Sequence, residues 1–130
     1  MKVKEIMSFP AIAEDEDVPV TVILKHMELS QIGCVVITSE GKPVGIIVDH
    51  DIAAKVIMKD RSPDEVKAKE IMSSPLIPVD ADASVEEACG LLARKGIRRV
   101  PVIQDGELVG VISIRNILTE EQVHVRKYLF

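Results

Sequence analysis

The chain has 130 residues, of which 47% are hydrophobic, 28% are charged and only 2% are aromatic. This composition is typical of a globular, domain-sized unit with an aliphatic core. The net charge of −5 argues against a nucleic-acid-binding surface, and no apolar run approaches the ~20 residues that cross a bilayer. Because the start of the chain has no apolar segment typical of a signal peptide, we expect a cytoplasmic protein that binds neither nucleic acid nor membrane.

The sequence is an internal duplication with an offset of 65 residues. Between Val3–Ile52 and the segment 65 residues later, 17 of 50 positions are identical without a gap. The letters KEIMS occur in both copies, at Lys4–Ser8 and at Lys69–Ser73. Such self-similarity indicates two halves of like fold. We divide them as residues 1–62 and residues 63–130, and expect them to form one compact module.

Each half is predicted to fold as strand, helix, strand, strand, helix. In the first half, apolar residues recur at helical spacing from Val20 to Met27, and Asp17 is the expected N-cap of that helix. The runs CVVIT and VGIIV flank a turn, SEGK, and are typical of a β-hairpin. A helix is predicted from about Asp49 to Lys59, and the charged segment MKDRSPDEVKAKE is predicted to connect the halves.

The second half repeats these elements. Ser84 and Glu87 have the spacing of a capping box, and the helix that follows has an apolar face that includes Cys89 and Leu92. RRVPVI and LVGVIS flank the turn QDGE in a second hairpin, and a last helix starts near Ile114 and extends along the chain end. The predicted fold class is α/β (α+β), with two pseudo-twofold repeats whose sheets pack together and whose helices lie outside.

The polar residues of interest lie at two corners, where the last strand of each half turns into a helix. A helix start presents N–H groups that favour anions, so phosphate binding is one interpretation of these corners. Asp51 could accept hydrogen bonds from ribose hydroxyls, Ser113 could donate to a phosphate oxygen, and Arg115 suits phosphate. The alternative interpretation is that these side chains, with His50 and Asn116, cap helices or are solvated.

Catalytic motifs are absent from the sequence: it has no nucleophile elbow, Gly-rich phosphate loop or paired histidines. His26, His50 and His124 lie too far apart to predict a metal site. Cys34 and Cys89 are predicted to be small buried hydrophobic residues, and the basic stretch ARKGIRR is interpreted as a solvated patch. We therefore expect no enzyme, no metal and no required cofactor.

The second half contains IMS..P, D..SV.EA, GIRRVPV and G.L.GVIS..NI in this order, and the first half is a looser copy. In this pattern the chain resembles a stand-alone pair of cystathionine-β-synthase (CBS) domains. The resemblance implies a regulatory, energy-sensing module that binds AMP, ADP, ATP or S-adenosylmethionine in clefts between its halves, forms a homodimer and acts on a separate partner protein. The alternative is a ligand-independent scaffold with degenerate clefts. The apolar end from Tyr128 to Phe130 is predicted to dock on a partner, lie across a dimer or pack within the chain.

The resemblance also implies which residues bind the ligand. In this family the corner signature is G-h-h-[T/S]-x-x-D, where h is apolar, the hydroxyl meets phosphate and the aspartate meets ribose. The first corner keeps Asp51 but has Val48 in the hydroxyl place; the second keeps Ser113 but has Asn116 in the aspartate place. Neither signature is complete, which is compatible with ligand in one cleft, both or neither. Adding the opening segments and middle strands gives the candidate ligand-binding residues Ala11, Ile12, Cys34, Val35, Asp49, His50, Asp51, Leu76, Ile77, Pro78, Arg99, Val100, Pro101, Ser113, Arg115 and Asn116.

Overall fold

The structure is a computed structural model that describes residues 1–119. The prediction for the chain end, from Tyr128 to Phe130, therefore lies outside the described residues, as does His124. The chain divides into two compact units. The first unit is Ile12–Leu76, and the second unit is Met1–Ala11 together with the chain from Ile77 onward. Each unit thus contains the opening segment of the other half of the sequence.

The first unit contains a three-stranded sheet in the order β1-β2-β3. Strand β1 runs parallel to β2, and β2 and β3 form an antiparallel hairpin. The side chains of α1 and of the segment after β3 pack with this sheet in one buried aliphatic cluster. The elements are β1 (Ala13–Asp15), α1 (Val20–Ser30), β2 (Cys34–Ser39), β3 (Lys42–Val48), α2 (Asp49–Ile52) continued by a π-helical turn (Ala53–Ile57), a 3-10 turn (Pro63–Glu65) and α3 (Ala68–Ile71).

The second unit repeats this arrangement with a sheet in the order β4-β5-β6 and its own aliphatic core. Strand β4 is parallel to β5, and β5 pairs antiparallel with β6. Within residues 1–119, no helix combines the length and the apolar character needed to cross a bilayer. The elements are a 3-10 turn (Val3–Glu5), β4 (Val79–Asp80), α4 (Val85–Lys95), β5 (Arg99–Gln104), β6 (Glu107–Ser113) and α5 (helical residues 114–119).

Both predicted hairpins are confirmed, and their turns explain the residues SEGK and QDGE. Glu40 and Gly41 have φ angles of 51° and 79°, and Asp105 and Gly106 have the same values. Two consecutive positive φ angles are the mark of a type I′ turn, whose twist matches that of the flanking strands. Glycine takes the second position because it adopts a positive φ without a steric cost.

The predicted helix caps have opposite outcomes. Ser84 is confirmed, because its Oγ accepts a hydrogen bond of 3.0 Å from the Glu87 N–H. The prediction that Asp17 caps α1 is wrong. The N-cap is Pro19, whose extended backbone (φ −68°, ψ 152°) leads into the helix without a side-chain cap. The carboxylate of Asp17 instead pairs with Lys69 Nζ at 2.9 Å.

Two further predictions need correction. Cys34 is buried as expected, but Cys89 is exposed, because α4 buries the stripe through Ala88 and Leu92 and Cys89 lies beside that stripe. The charged segment between the halves is more than a connector, since Val66 is buried in the core of the first unit. The Val66 carbonyl also accepts a 2.8 Å hydrogen bond from the Val20 N–H at the start of α1.

The lysine of each KEIMS segment forms an ion pair with an aspartate of the same unit. Lys4 Nζ lies 2.8 Å from Asp82 Oδ1 in the second unit, as Lys69 Nζ does at 2.9 Å from Asp17 Oδ1 in the first. The lysine hydrogen bond, followed by its positive charge, lowers the pKa of each aspartate, and the same contacts raise the pKa of each lysine. Both pairs are exposed, so water screens them and their contribution to stability is small.

The glycine that leads each apolar run makes room for the other half's KEIMS segment. Ser8 exchanges two backbone hydrogen bonds of 2.9 Å with Val111 on β6. A Cβ at the neighbouring Gly110 would lie 2.6 Å from the Ser8 carbonyl oxygen, and one at Gly45 would lie 2.9 Å from that of Ser73. These distances are too short for a side chain. Each sheet edge therefore needs glycine in order to accept its opening segment.

Candidate functional site

The second corner is held by reciprocal hydrogen bonds between Ser113, the last residue of β6, and Asn116. Asn116 Oδ1 accepts from the Ser113 N–H at 2.8 Å and from Ser113 Oγ at 2.9 Å. Ser113 Oγ in turn accepts from the Asn116 N–H at 3.1 Å. This is the geometry of a capping box. The capping interpretation therefore accounts for the spacing of these two residues.

The helix start at this corner offers less to an anion than the sequence suggested. The Ile114 N–H donates to the carbonyl of Arg98 at 2.9 Å, and the N–H groups of Ser113 and Asn116 are engaged within the capping box. N–H groups that already have partners do not also bind a phosphate. These three N–H groups therefore offer little to an anion, and the exposed guanidinium of Arg115 is a cationic side chain at this corner.

A cavity of about 340 Å³ opens beside this corner, within the second unit. Its size is at the lower end of the range for small-molecule sites. Asn116 Nδ2 donates to Ser8 Oγ at 3.2 Å and so joins α5 to the opening segment. The cavity is lined by Glu5, Ile6, Ser8, Ser113, Arg115, Asn116 and Thr119.

The structure thus brings together Ser113, Arg115 and Asn116 and adds residues that the sequence reasoning missed. Glu5, Ile6 and Ser8 were missed because they precede β6 by about a hundred residues and belong to the other half of the sequence. The signal that could have found them is the identity of the two KEIMS segments. Arg99 lies opposite Ser113 in the β5–β6 register and so starts its strand next to the corner.

The first corner shares one of these capping hydrogen bonds, lacks those of the hydroxyl and carries a carboxylate in place of the amide. Asp51 is only 7% exposed, and its Oδ2 accepts a 2.8 Å hydrogen bond from the Val48 N–H. Its Oδ1 lies 3.3 Å from Lys55 Nζ, which also donates to the carbonyl of Ile71 at 2.9 Å. Both carboxylate oxygens of the residue predicted to hold ribose are therefore engaged by the protein itself.

The other residues of the first corner are also engaged locally. The His50 N–H donates to Asp49 Oδ1 at 2.9 Å, and the Asp49 N–H donates to the carbonyl of Gly33 at 3.2 Å. The side chain of His50 is exposed, at the place that Arg115 occupies in the second unit. The first corner therefore has an imidazole where the second has the planar guanidinium that suits a phosphate.

The remaining candidate residues fall into two groups. Val35, Val100 and Pro101 are buried in the sheets, so their side chains serve the cores. The residues that flank the two crossings between the units are at least partly exposed: Ala11, Ile12, Leu76, Ile77 and Pro78. Cys34 is buried opposite Val48 in the β2–β3 register. The structure gathers none of these residues around the cavity of the second unit.

Metal-binding side chains do not cluster in the described part of the chain, where no group of three or more His, Cys, Asp or Glu residues could hold an ion. His26 Nε2 lies 2.6 Å from Glu14 Oε1, which is a two-residue pair. This pair has too few ligands for a protein metal site.

Comparison with known proteins gives a consistent result. A family model described as the CBS domain matches residues 3–57 and 68–122. An uncharacterized protein of Methanopyrus kandleri is 46% identical over 92 residues, which are 69% of this chain and 47% of that protein. The chain therefore spans about half the length of this curated relative.

Two solved structures share the fold. The hexameric CBS-CP12 protein from bloom-forming cyanobacteria is 31% identical with a TM-score of 0.87, and the match covers 100% of this chain and 74% of that one. A CBS domain pair in complex with 5′-methylthioadenosine and S-adenosyl-L-methionine is 27% identical with a TM-score of 0.85, and the match covers 95% and 98% of the two chains.

The two family matches take up most of the chain and coincide with the two copies of the duplicated sequence. The mixed α/β fold of tandem repeats, each with a three-stranded sheet and helices, is confirmed. The family resemblance drawn from IMS..P and the later motifs is confirmed as well. The chain belongs to the CBS domain family, as a tandem pair of CBS domains.

Proposed function

We propose that this CBS domain pair is a regulatory, non-catalytic module that binds an adenosyl ligand beside the second corner. The observation that carries the proposal is the cavity of about 340 Å³, because three of its lining residues, Ser113, Arg115 and Asn116, lie in the corner signature. The solved CBS pair that holds 5′-methylthioadenosine and S-adenosyl-L-methionine has the same fold, which supports this ligand class. The candidates are AMP, ADP, ATP and S-adenosylmethionine, in a cytoplasmic setting.

The lining residues suit the parts of such a ligand. The guanidinium of Arg115 can pair with a phosphate or carboxylate, and Ile6 offers an aliphatic surface to the purine. Glu5 is the carboxylate of the cavity, and carboxylates accept hydrogen bonds from the two hydroxyls of ribose. Since Asn116 stands where the signature has aspartate, we assign the charged ribose contact to Glu5.

The test compares equivalent residues at the two corners. Melting temperature and titration calorimetry are measured with AMP, ADP, ATP, S-adenosylmethionine and 5′-methylthioadenosine, because a ligand that prefers the folded state raises the melting temperature. Arg115→Ala is expected to weaken a phosphate-bearing ligand by about 10-fold or more, as expected for loss of a charged hydrogen bond. His50→Ala is the matched control and should leave binding within about twofold.

The proposal is contradicted if none of the five compounds, at millimolar concentration, raises the melting temperature of the wild type or gives a binding signal in calorimetry. It would favour the alternative, a ligand-independent scaffold. One observation supports that alternative: Leu29, Ile57 and Met58 of the first unit expose 84%, 58% and 79% of their surface. Large exposed apolar side chains are candidates for contact with another protein.

Regulation through a partner and assembly as a homodimer are part of the same proposal. A ligand can control a partner only if the partner binds the ligand-bound and ligand-free forms with different affinity. Light scattering after size exclusion, with and without ligand, measures the assembly state. Competition between AMP and ATP for the cavity would be the basis of energy sensing.

A further inference from the structure

The first unit contains a counterpart of every residue that lines the cavity of the second. Because the copies are offset by 65 residues without a gap, the positions equivalent to the lining residues can be read directly. They are Glu70, Ile71, Ser73, Val48, His50, Asp51 and Ala54. The first unit therefore has an equivalent position, which we call the second place. The side chains that lie there decide whether a ligand fits.

Lys55, whose side chain is 45% exposed, contacts two residues of this second place. Its Nζ lies 2.9 Å from the carbonyl oxygen of Ile71 and 3.3 Å from Asp51 Oδ1. Ile71 and Asp51 are the counterparts of Ile6 and Asn116, which both line the cavity. The lysine thus joins the opening segment to the corner, between the counterparts of two residues that line the cavity of the second unit.

We infer that Lys55 closes the first corner to ligands, so that this CBS pair takes one adenosyl ligand per chain. The choice of ligand rests on the proposed function, whereas the closed corner rests on Lys55. A ligand that enters must break the lysine's hydrogen bond and its ion pair before it forms contacts of its own. The carboxylate of this ion pair is 7% exposed, whereas the Lys55 side chain is 45% exposed, so water screens the pair in part and its cost of breaking adds to that of the hydrogen bond to Ile71.

The sequence supports a difference between the corners at this position. The residue at the position equivalent to Lys55 in the sequence is Glu120, so the second copy has no lysine there. In addition, Val48 takes the place of the hydroxyl residue Ser113, so a phosphate at the first corner lacks that donor. Both changes disfavour a phosphorylated ligand at the first corner relative to the second.

The experiment counts ligands per chain. Titration calorimetry with AMP and, separately, with S-adenosylmethionine is run on the wild type, Lys55→Ala, the double variant Lys55→Ala with Asp51→Ala, and Lys59→Ala as a control at a second exposed lysine. The expected result is one site per chain in the wild type and in Lys59→Ala, and a second site in Lys55→Ala. The double variant should return to one site, because Asp51 is then absent and the other carboxylate of that corner, Glu70, is bonded to Arg61 and to the Lys67 N–H.

The outcomes separate this inference from the proposed function. The inference that Lys55 closes the first corner is overturned if the wild type binds two ligands per chain or if Lys55→Ala binds the same number as the wild type. A loss of affinity in Lys55→Ala also overturns it and would make Lys55 a ligand contact instead. No site in the wild type with one site in Lys55→Ala would support the closed corner and refute binding at the second. If circular dichroism shows that Lys55→Ala is unfolded, Lys55→Met, which keeps the aliphatic stem, replaces it in the same comparison.

Discussion

The two corners perform the same structural task with different chemistry. Asp51 and Asn116 both accept a hydrogen bond from the N–H of the residue three positions earlier, so both cap the turn from strand to helix. The carboxylate of Asp51 is neutralised by Lys55, whereas the neutral amide of Asn116 binds Ser8 beside an open cavity. The comparison teaches that one capping hydrogen bond is kept in both copies while the charge of the capping residue differs between them.

The largest expected effects test whether the two units depend equally on their opening segments. Gly110→Ala would place a Cβ 2.6 Å from the Ser8 carbonyl oxygen, and Gly45→Ala meets Ser73 at 2.9 Å. We expect each substitution to lower the free energy of unfolding by about 1–3 kcal/mol, the usual effect of overpacking. Urea unfolding measures it, and Gly90→Ala within α4 is the control, because alanine there should stabilise by about 0.5–1 kcal/mol. Wild-type stability in Gly110→Ala would refute the close approach.

A second pair of substitutions sharpens the comparison of charges at the corners. Asn116→Ala removes a cap and should cost about 1 kcal/mol. Asp51→Ala should cost more, about 1–3 kcal/mol, because it also leaves the Val48 N–H and Lys55 without their carboxylate partner. Asp51→Asn, which keeps an acceptor for the Val48 N–H, should fall between them. Equal losses for the two alanine variants in urea unfolding would mean that the ion pair adds nothing.

A third test compares the two glutamates of the KEIMS segments. Glu5→Gln removes the negative charge from the cavity but keeps an acceptor for the Lys2 N–H. The ligand is 5′-methylthioadenosine, which carries a ribose but no phosphate. We expect the substitution to weaken its binding by about 5- to 10-fold. Glu70→Gln, in the closed first corner, should leave affinity unchanged. Calorimetry that finds equal affinities for both variants would remove Glu5 from the ribose contact.

The smallest expected effect is the pH dependence of the two exposed ion pairs. Because the pKa values of Asp17 and Asp82 are lowered from 3.8 in the folded chain, their stabilisation is present above that value and is lost as the pH falls through the folded pKa. The raised pKa values of Lys4 and Lys69 act at the other limit, where stability is lost as the pH rises above 10.5. Thermal melts between pH 2 and 5 should show a smaller decline in Lys4→Ala and Lys69→Ala, and 1 M salt should reduce the difference.

The sequence was most informative where local chemistry decides the structure. The two turns followed from Glu40-Gly41 and Asp105-Gly106, and the cap of α4 followed from Ser84, because each needs only neighbouring residues. Asp17 was misassigned because its partner, Lys69, comes from a distant segment. The cavity was missed in part for the same reason. Glu5 and Ser8 line it because the opening segment packs on the sheet of the other half, and no local sequence pattern predicts that contact. Lys55 had no local pattern to mark it, since its two contacts appear only once α3 is folded against α2.

The exchange of opening segments has a consequence for how this architecture can be cut. A fragment of residues 1–62 alone would lack Ser73, which exchanges two backbone hydrogen bonds with Ile46 on β3, and would lack β6, on which its own Ser8 docks. A second copy of the fragment carries the same KEIMS letters and can supply the missing edge contact by exchange. In the full chain both segments belong to one molecule, so this pairing does not depend on protein concentration.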